Sequence, residues 1–147
     1  MSGMSKIVKT VTRWVAPFII AFGIYIALTG HLTPGGGFPG GVIIAGCFIL
    51  LTLAFGKEKV DGVFDTGAAE ITDSIASLSF LCMGFLGYVF GGAFLSNFIQ
   101  SGFPGEPFGL LSGGNMPIIN LAIGFKVGGS IFMVFAFLAT FRAIEED

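Results

Sequence analysis

Charge is the scarcest thing in this chain. Of 147 residues, 7 are Lys or Arg and 9 are Asp or Glu, or 11% together, against roughly 25% in ordinary soluble domains. A soluble domain of this size could not cover its surface with so few ionisable side chains. Cysteine is scarce too: Cys47 and Cys82 are too few for a secreted disulfide scaffold. With His31 as the sole histidine, no Cys or His cluster is present to ligate iron–sulfur or haem, and no cofactor is implied. Basic clusters are missing and the formal net charge is -2, which argues against nucleic acid or anionic lipid as the main partner. Apolar residues, in contrast, make up 54% of the chain, which excludes disorder. An integral membrane protein remains, rich in Gly (24) and Phe (18).

The charges are unevenly placed. Residues 14–56 and 74–105 carry none, and residues 107–141 carry only Lys126. A helix needs about 20 apolar residues to cross the hydrocarbon core. The pattern predicts an all-α membrane protein, a single integral domain over residues 1–147 with four transmembrane helices at about 14–29, 41–56, 74–97 and 118–141. The first extends back toward Val8, with Arg13 snorkelling to the headgroups and Trp14 at the interface. A cleaved signal peptide competes for this N-terminus, but no small-x-small site stands out before Thr29, and a second apolar segment follows closely.

Orientation follows from the basic residues. Lys6, Lys9 and Arg13 precede the first span, Lys57 and Lys59 separate the second from the third, and Arg142 follows the fourth. Residues 30–40 and 98–117 have no Lys or Arg. Four spans therefore put both termini in the cytoplasm. The external segment 96–117, rich in proline and glycine, reads as an irregular loop.

Few polar groups remain as candidates for ion chemistry. Glu70 and Asp73 lie one turn apart at the start of the third span. Acids there complement the helix macrodipole and Asp73 could cap the helix; the competing reading gives the pair a role in ion conduction. Lys126 lies close to the midplane if the fourth span begins at Ile118, or only about 7 Å deep if Asn120 marks the interface. In the first case it needs a partner, in the second it snorkels. With no acidic residue expected at matching depth, that partner would come from another subunit. His31 sits at the external boundary, either bonded to loop carbonyls or accepting protons at an ion entry. Cys47 and Cys82 read as packing thiols.

Between the first two spans runs Gly30-His31-Leu32-Thr33-Pro34-Gly35-Gly36-Gly37-Phe38-Pro39-Gly40-Gly41. Glycine permits positive φ and close backbone approach at an entropic cost, so such a stretch calls for a neighbour packed tightly on it. Its formal G-x-G-x-x-G match carries no nucleotide chemistry, because no strand precedes it. Pro39 suits the first turn of the second span. Gly87 with Gly91, and Gly124 with Gly128, are spaced four apart and offer smooth faces for helix packing.

This stretch resembles the signature of the B subunit of Mrp-type sodium/proton antiporters, the MnhB-type domain. It is carried by Gly30, His31, Thr33, Pro34, Gly35, Gly36, Gly37, Phe38, Gly40 and Gly41, and extends less specifically to Gly124–Gly128. The resemblance implies a small, non-catalytic four-helix subunit of a multi-subunit sodium/proton antiporter, surrounded by lipid and other membrane subunits. Related subunits occur in the sodium-translocating modules of archaeal membrane-bound hydrogenases and sulfane-sulfur reductases, so a respiratory redox complex is the first alternative. A self-sufficient homo-oligomeric channel or transporter is the second. On this reading residues 35–41, with Thr33 and Pro34, dock a neighbouring subunit. His31, Glu70, Asp73 and Lys126 are then the candidates for an ion pathway.

Overall fold

The computed structural model describes residues 4–32, 34–62, 65–103, 105, 109 and 112–145, with the backbone alone at Glu58, Asp61 and residues 142–145. Thr33 of the glycine stretch lies outside the described residues. Among the described residues six helices follow in order: α1 (Lys6–Thr29), α2 (Gly37–Phe55), α3 (Lys57–Asp61), α4 (Thr66–Gly91), α5 (Phe98–Gly102) and α6 (Met116–Glu145). Among the described residues none is in a strand. Helices α1, α2, α4 and α6 are long and apolar enough to cross a membrane.

The span count expected from the charge gaps holds, and the first span ends at Thr29 as expected, but all four starts move toward the N-terminus. Helix α1 begins at Lys6, eight residues before Trp14, and Thr10 ties its first turn by donating to the Lys6 carbonyl at 2.9 Å. Helix α4 is displaced toward the N-terminus, over Thr66–Gly91 instead of 74–97. Asp65 caps it by accepting from the Ala68 amide at 2.7 Å, so the capping role considered for Asp73 belongs to Asp65. At the far end Gly92 takes φ +76 and closes the helix with a bond from its amide to Tyr88. Charges mark where a chain can meet water, whereas caps mark where a helix stops; here the two differ by two turns.

Helix α2 starts at Gly37, so Pro39 stands in its first turn, where no amide donor is missed. Within the expected external loop the described residues form α5. It is held by a reciprocal clasp between two asparagines. Asn97 accepts from the Asn115 amide at 3.0 Å and donates to the Gly113 carbonyl at 2.9 Å. The buried Asn115 side chain donates to the Ser96 carbonyl at 3.0 Å and accepts from the Ile99 amide at 3.2 Å.

The long helices form a row. Helix α2 packs between α1 and α6, α6 packs between α2 and α4, and α1 also touches α6. Arg13 stacks over the Phe55 ring at 5.8 Å, and Lys57 donates to Thr140 at 2.8 Å. The start of α1, the end of α2 and the end of α6 therefore lie together at one end of the helix bundle. Phe132, with Val60 and Ala69, closes that end from α6 to α4. The other buried apolar residues described are small: Ala16, Ala27, Ala45, Cys47, Ala54, Ala76, Ala122 and Ala136. Without a hydrophobic drive between helices in lipid, close approach of small residues is what holds them. Large apolar residues such as Trp14, Phe18, Phe85 and Val89 point outward.

The glycine stretch explains the tight centre of the row. A side chain at Gly37 would run into the Asn120 carbonyl, and one at Gly41 into the Gly124 carbonyl, both on α6. A side chain at Gly40 would meet the Gly23 carbonyl and Ala27 on α1. Gly124 and Gly128 face Gly37 and Gly41 in return. Gly87 and Gly91 have no long helix among their nearest described neighbours. Their neighbours are Leu95 and Ser96, because the chain after Gly92 folds back over the end of α4 and Ser96 donates to the Gly87 carbonyl at 2.7 Å. Gly36, Gly37, Gly40 and Gly41 are buried within the chain, leaving Leu32, Pro34, Gly35 and Phe38 as the exposed part of the stretch.

Candidate functional site

Asp73 is the eighth residue of α4 and Lys126 the eleventh of α6. At about 1.5 Å per residue, Lys126 lies about 15 Å from the start of α6, half the thickness of the hydrocarbon core. The two helices run antiparallel and approach closely at the buried Gly129, whose missing side chain lets the Ala69 carbonyl come near. This approach brings Ser130, one residue on, and Lys126, one turn before it, against Asp73.

The contacts form one network. Lys126 Nζ lies 3.3 Å from both carboxylate oxygens of Asp73 and donates to Ser77 Oγ at 2.8 Å. Ser130 Oγ donates to Asp73 Oδ1 at 2.5 Å. Ser77 Oγ spends its own proton on the Asp73 carbonyl, at 2.8 Å, which leaves a lone pair for the ammonium. The Lys126 side chain is 48% exposed and that of Asp73 only 23%, so the carboxylate is set back and the ammonium closes its open side.

An isolated lysine at the centre of a membrane helix costs about 2.5–3.5 kcal/mol on insertion scales. The expectation that Lys126 must find its partner in another subunit is therefore corrected. Its partner is Asp73 of the same chain, which lies two turns inside α4 because that helix starts at Thr66. The structure unites two of the four candidate ion-path residues. Glu70, one turn before Asp73, is exposed and makes no bond to the cluster. His31 lies beyond the start of α6, with its ring on Gly113, Nε2 3.5 Å from the Gly109 carbonyl, and Nδ1 buried without a hydrogen-bond partner among the described residues. No group of three or more His, Cys, Asp or Glu side chains converges among the described residues.

Sequence reasoning missed Ser77 and Ser130. The signal was available: Asp73 and Ser77 are four apart, as are Lys126 and Ser130, so each pair lies on one helical face. Two polar pairs inside apolar helices already suggest that they face each other.

Residues 7–133 match the model of a family described as a domain related to the MnhB subunit of Na+/H+ antiporter. The chain belongs to this MnhB-related family. It is 37% identical over 127 residues to an uncharacterized protein of Methanocaldococcus jannaschii, covering 84% of this chain and 48% of that one. Over 54 residues it is 46% identical to the putative antiporter subunit mnhB2 of Staphylococcus aureus (strain Newman), covering 37% of this chain and 38% of that one. The fold is similar to a chain of the membrane-bound sulfane sulfur reductase, an archaeal respiratory membrane complex. That match has a TM-score of 0.70 and 35% identity, and covers 88% of this chain and 56% of the other. This MnhB-related chain thus spans about half the length of the archaeal relative and of the reductase chain.

Proposed function

We propose that this chain is a non-catalytic subunit of a multi-subunit Mrp-type sodium/proton antiporter module, in the plasma membrane of a prokaryote and with both termini in the cytoplasm. The observation that carries the reading is the family match across residues 7–133. The Asp73–Lys126 pair gives it a chemical centre, since ionisable residues within spans commonly mark ion pathways. On geometry these two rank ahead of Glu70 and His31 as contributors to the ion path. The exposed residues Leu32, Pro34, Gly35 and Phe38 form the edge against which a neighbouring subunit docks.

The similarity to a sulfane sulfur reductase chain favours a second reading, in which the same module is driven by electron transfer inside a respiratory complex. Purification from native membranes in mild detergent, followed by mass spectrometry, separates the two. Co-purification of antiporter-type membrane subunits alone supports the first, and additional iron–sulfur or other redox subunits support the second. Sodium flux through liposomes containing this chain alone would overturn both in favour of a self-sufficient transporter.

A further inference from the structure

The Lys126 ammonium does more than neutralise Asp73. It rests in a cup of three oxygens, the two carboxylate oxygens of Asp73 and the hydroxyl of Ser77. The cup is built and held from behind. Ser130 fixes the carboxylate through Oδ1, and the Ser77 proton is committed to a backbone carbonyl. Three converging oxygens, one carboxylate among them, are a donor set that a small hard cation accepts. The lid is a point charge on a flexible four-carbon stem, and its side chain is about half exposed.

We propose that Asp73, Ser77 and Ser130 form a sodium site for which Lys126 is the built-in competitor. A carboxylate at this depth requires one positive charge beside it. Either the ammonium or a sodium ion supplies that charge, and entry of one displaces the other. Sodium takes Asp73 Oδ1, Oδ2 and Ser77 Oγ, and Lys126 swings toward the open side of the α4–α6 face. Ser130 keeps the carboxylate in place in both states. No covalent step is involved and the net charge of the site is the same before and after, apart from the displaced ammonium, which must meet water or an acceptor on that open side.

The inference rests on the antiporter reading for its choice of cation, but its test does not. The purified complex is assayed for binding of radioactive sodium and, in liposomes, for sodium-dependent proton movement. Asp73→Asn is expected to remove one equivalent of bound sodium. Lys126→Met removes the competitor and is expected to tighten the site several-fold, while Ser77→Ala removes one oxygen and is expected to weaken it several-fold. Purely structural roles would lower the yield of complex without moving these affinities in opposite directions. Wild-type sodium affinity in Ser77→Ala overturns the inference, and so does wild-type affinity in Lys126→Met. Should Lys126→Met fail to assemble, Ser77→Ala, which keeps the ion pair, decides alone. Sodium bound as expected by a wild-type complex that exchanges no protons leaves the site standing and overturns the antiporter reading instead.

Discussion

Gly40 and Gly41 show how a two-residue step can serve two neighbours. Adjacent residues on a helix point about 100° apart, so Gly40 meets α1 while Gly41 meets α6. Gly41→Ala would push a methyl group into the Gly124 carbonyl. Overpacking of this kind costs about 1–3 kcal/mol or more, and the expected outcome is a clearly lowered unfolding temperature in detergent. Gly46→Ala is the control, since nothing lies within 4 Å of the added group. It should be neutral or stabilising by up to about 1 kcal/mol, because Gly is a poor helix former. An unfolding temperature for Gly41→Ala equal to that of the wild type would mean that the two helices can part at no cost. The abundance of glycine was legible in the sequence, and so was the demand for a tight neighbour. That the neighbour is the chain itself was not, because one sequence gives spacing along a helix but no partner for it.

At the level of elements, caps and clasps decide where helices end. Asp65 and Gly92 bound α4, and both are ordinary signals, an N-cap acid and a left-handed glycine. Neither coincides with the end of a gap in the charges, and a boundary drawn at the charges leaves Asp73 at the surface and Lys126 alone. Correct placement of α4 is what brings the pair to overlapping depth. The Asn97–Asn115 clasp had no such signal. Its two members are 18 residues apart and meet only because α5 folds back on the start of α6. Asn115→Ala would strip a partner from the Ser96 carbonyl and the Ile99 amide, at about 1–3 kcal/mol for buried groups left unpaired. Hydrogen exchange should accelerate over residues 96–102 and stay unchanged in the middle of α2. Unchanged exchange over 96–102 would show that other contacts hold α5.

For the whole molecule, the gaps between charges were enough to count four membrane-crossing helices, whereas the order of the row was not encoded in any single segment. It depends on which small faces meet. The shared end formed by Arg13, Phe55, Lys57 and Thr140 agrees with an even number of crossings. It also makes the cytoplasmic assignment of both termini directly testable. Ser112→Cys should react with an impermeant thiol reagent added outside intact cells and Lys57→Cys should not, each in a background without Cys47 and Cys82. The reverse pattern would invert the protein in its membrane.

The ion pair between α4 and α6 also constrains biogenesis. Asp73 emerges from the ribosome 53 residues before Lys126, so α4 reaches the insertion machinery with an unpaired carboxylate. Helix α6 then arrives with an unpaired ammonium. Each alone carries an insertion penalty of up to about 3 kcal/mol near the membrane centre, and the two cancel only when both helices are present. Helix α4 should therefore linger beside the translocon until α6 joins it, and the pair should enter lipid as a hairpin. A chain truncated after Gly92 should insert α4 less efficiently than the full-length chain, and Asp73→Asn should restore insertion of the truncated form. Protease protection of α4 during cell-free synthesis measures both. Equal protection in truncated and full-length chains would mean that α4 settles on its own. The charge that serves the finished protein thus also sets the order in which these two crossings are made.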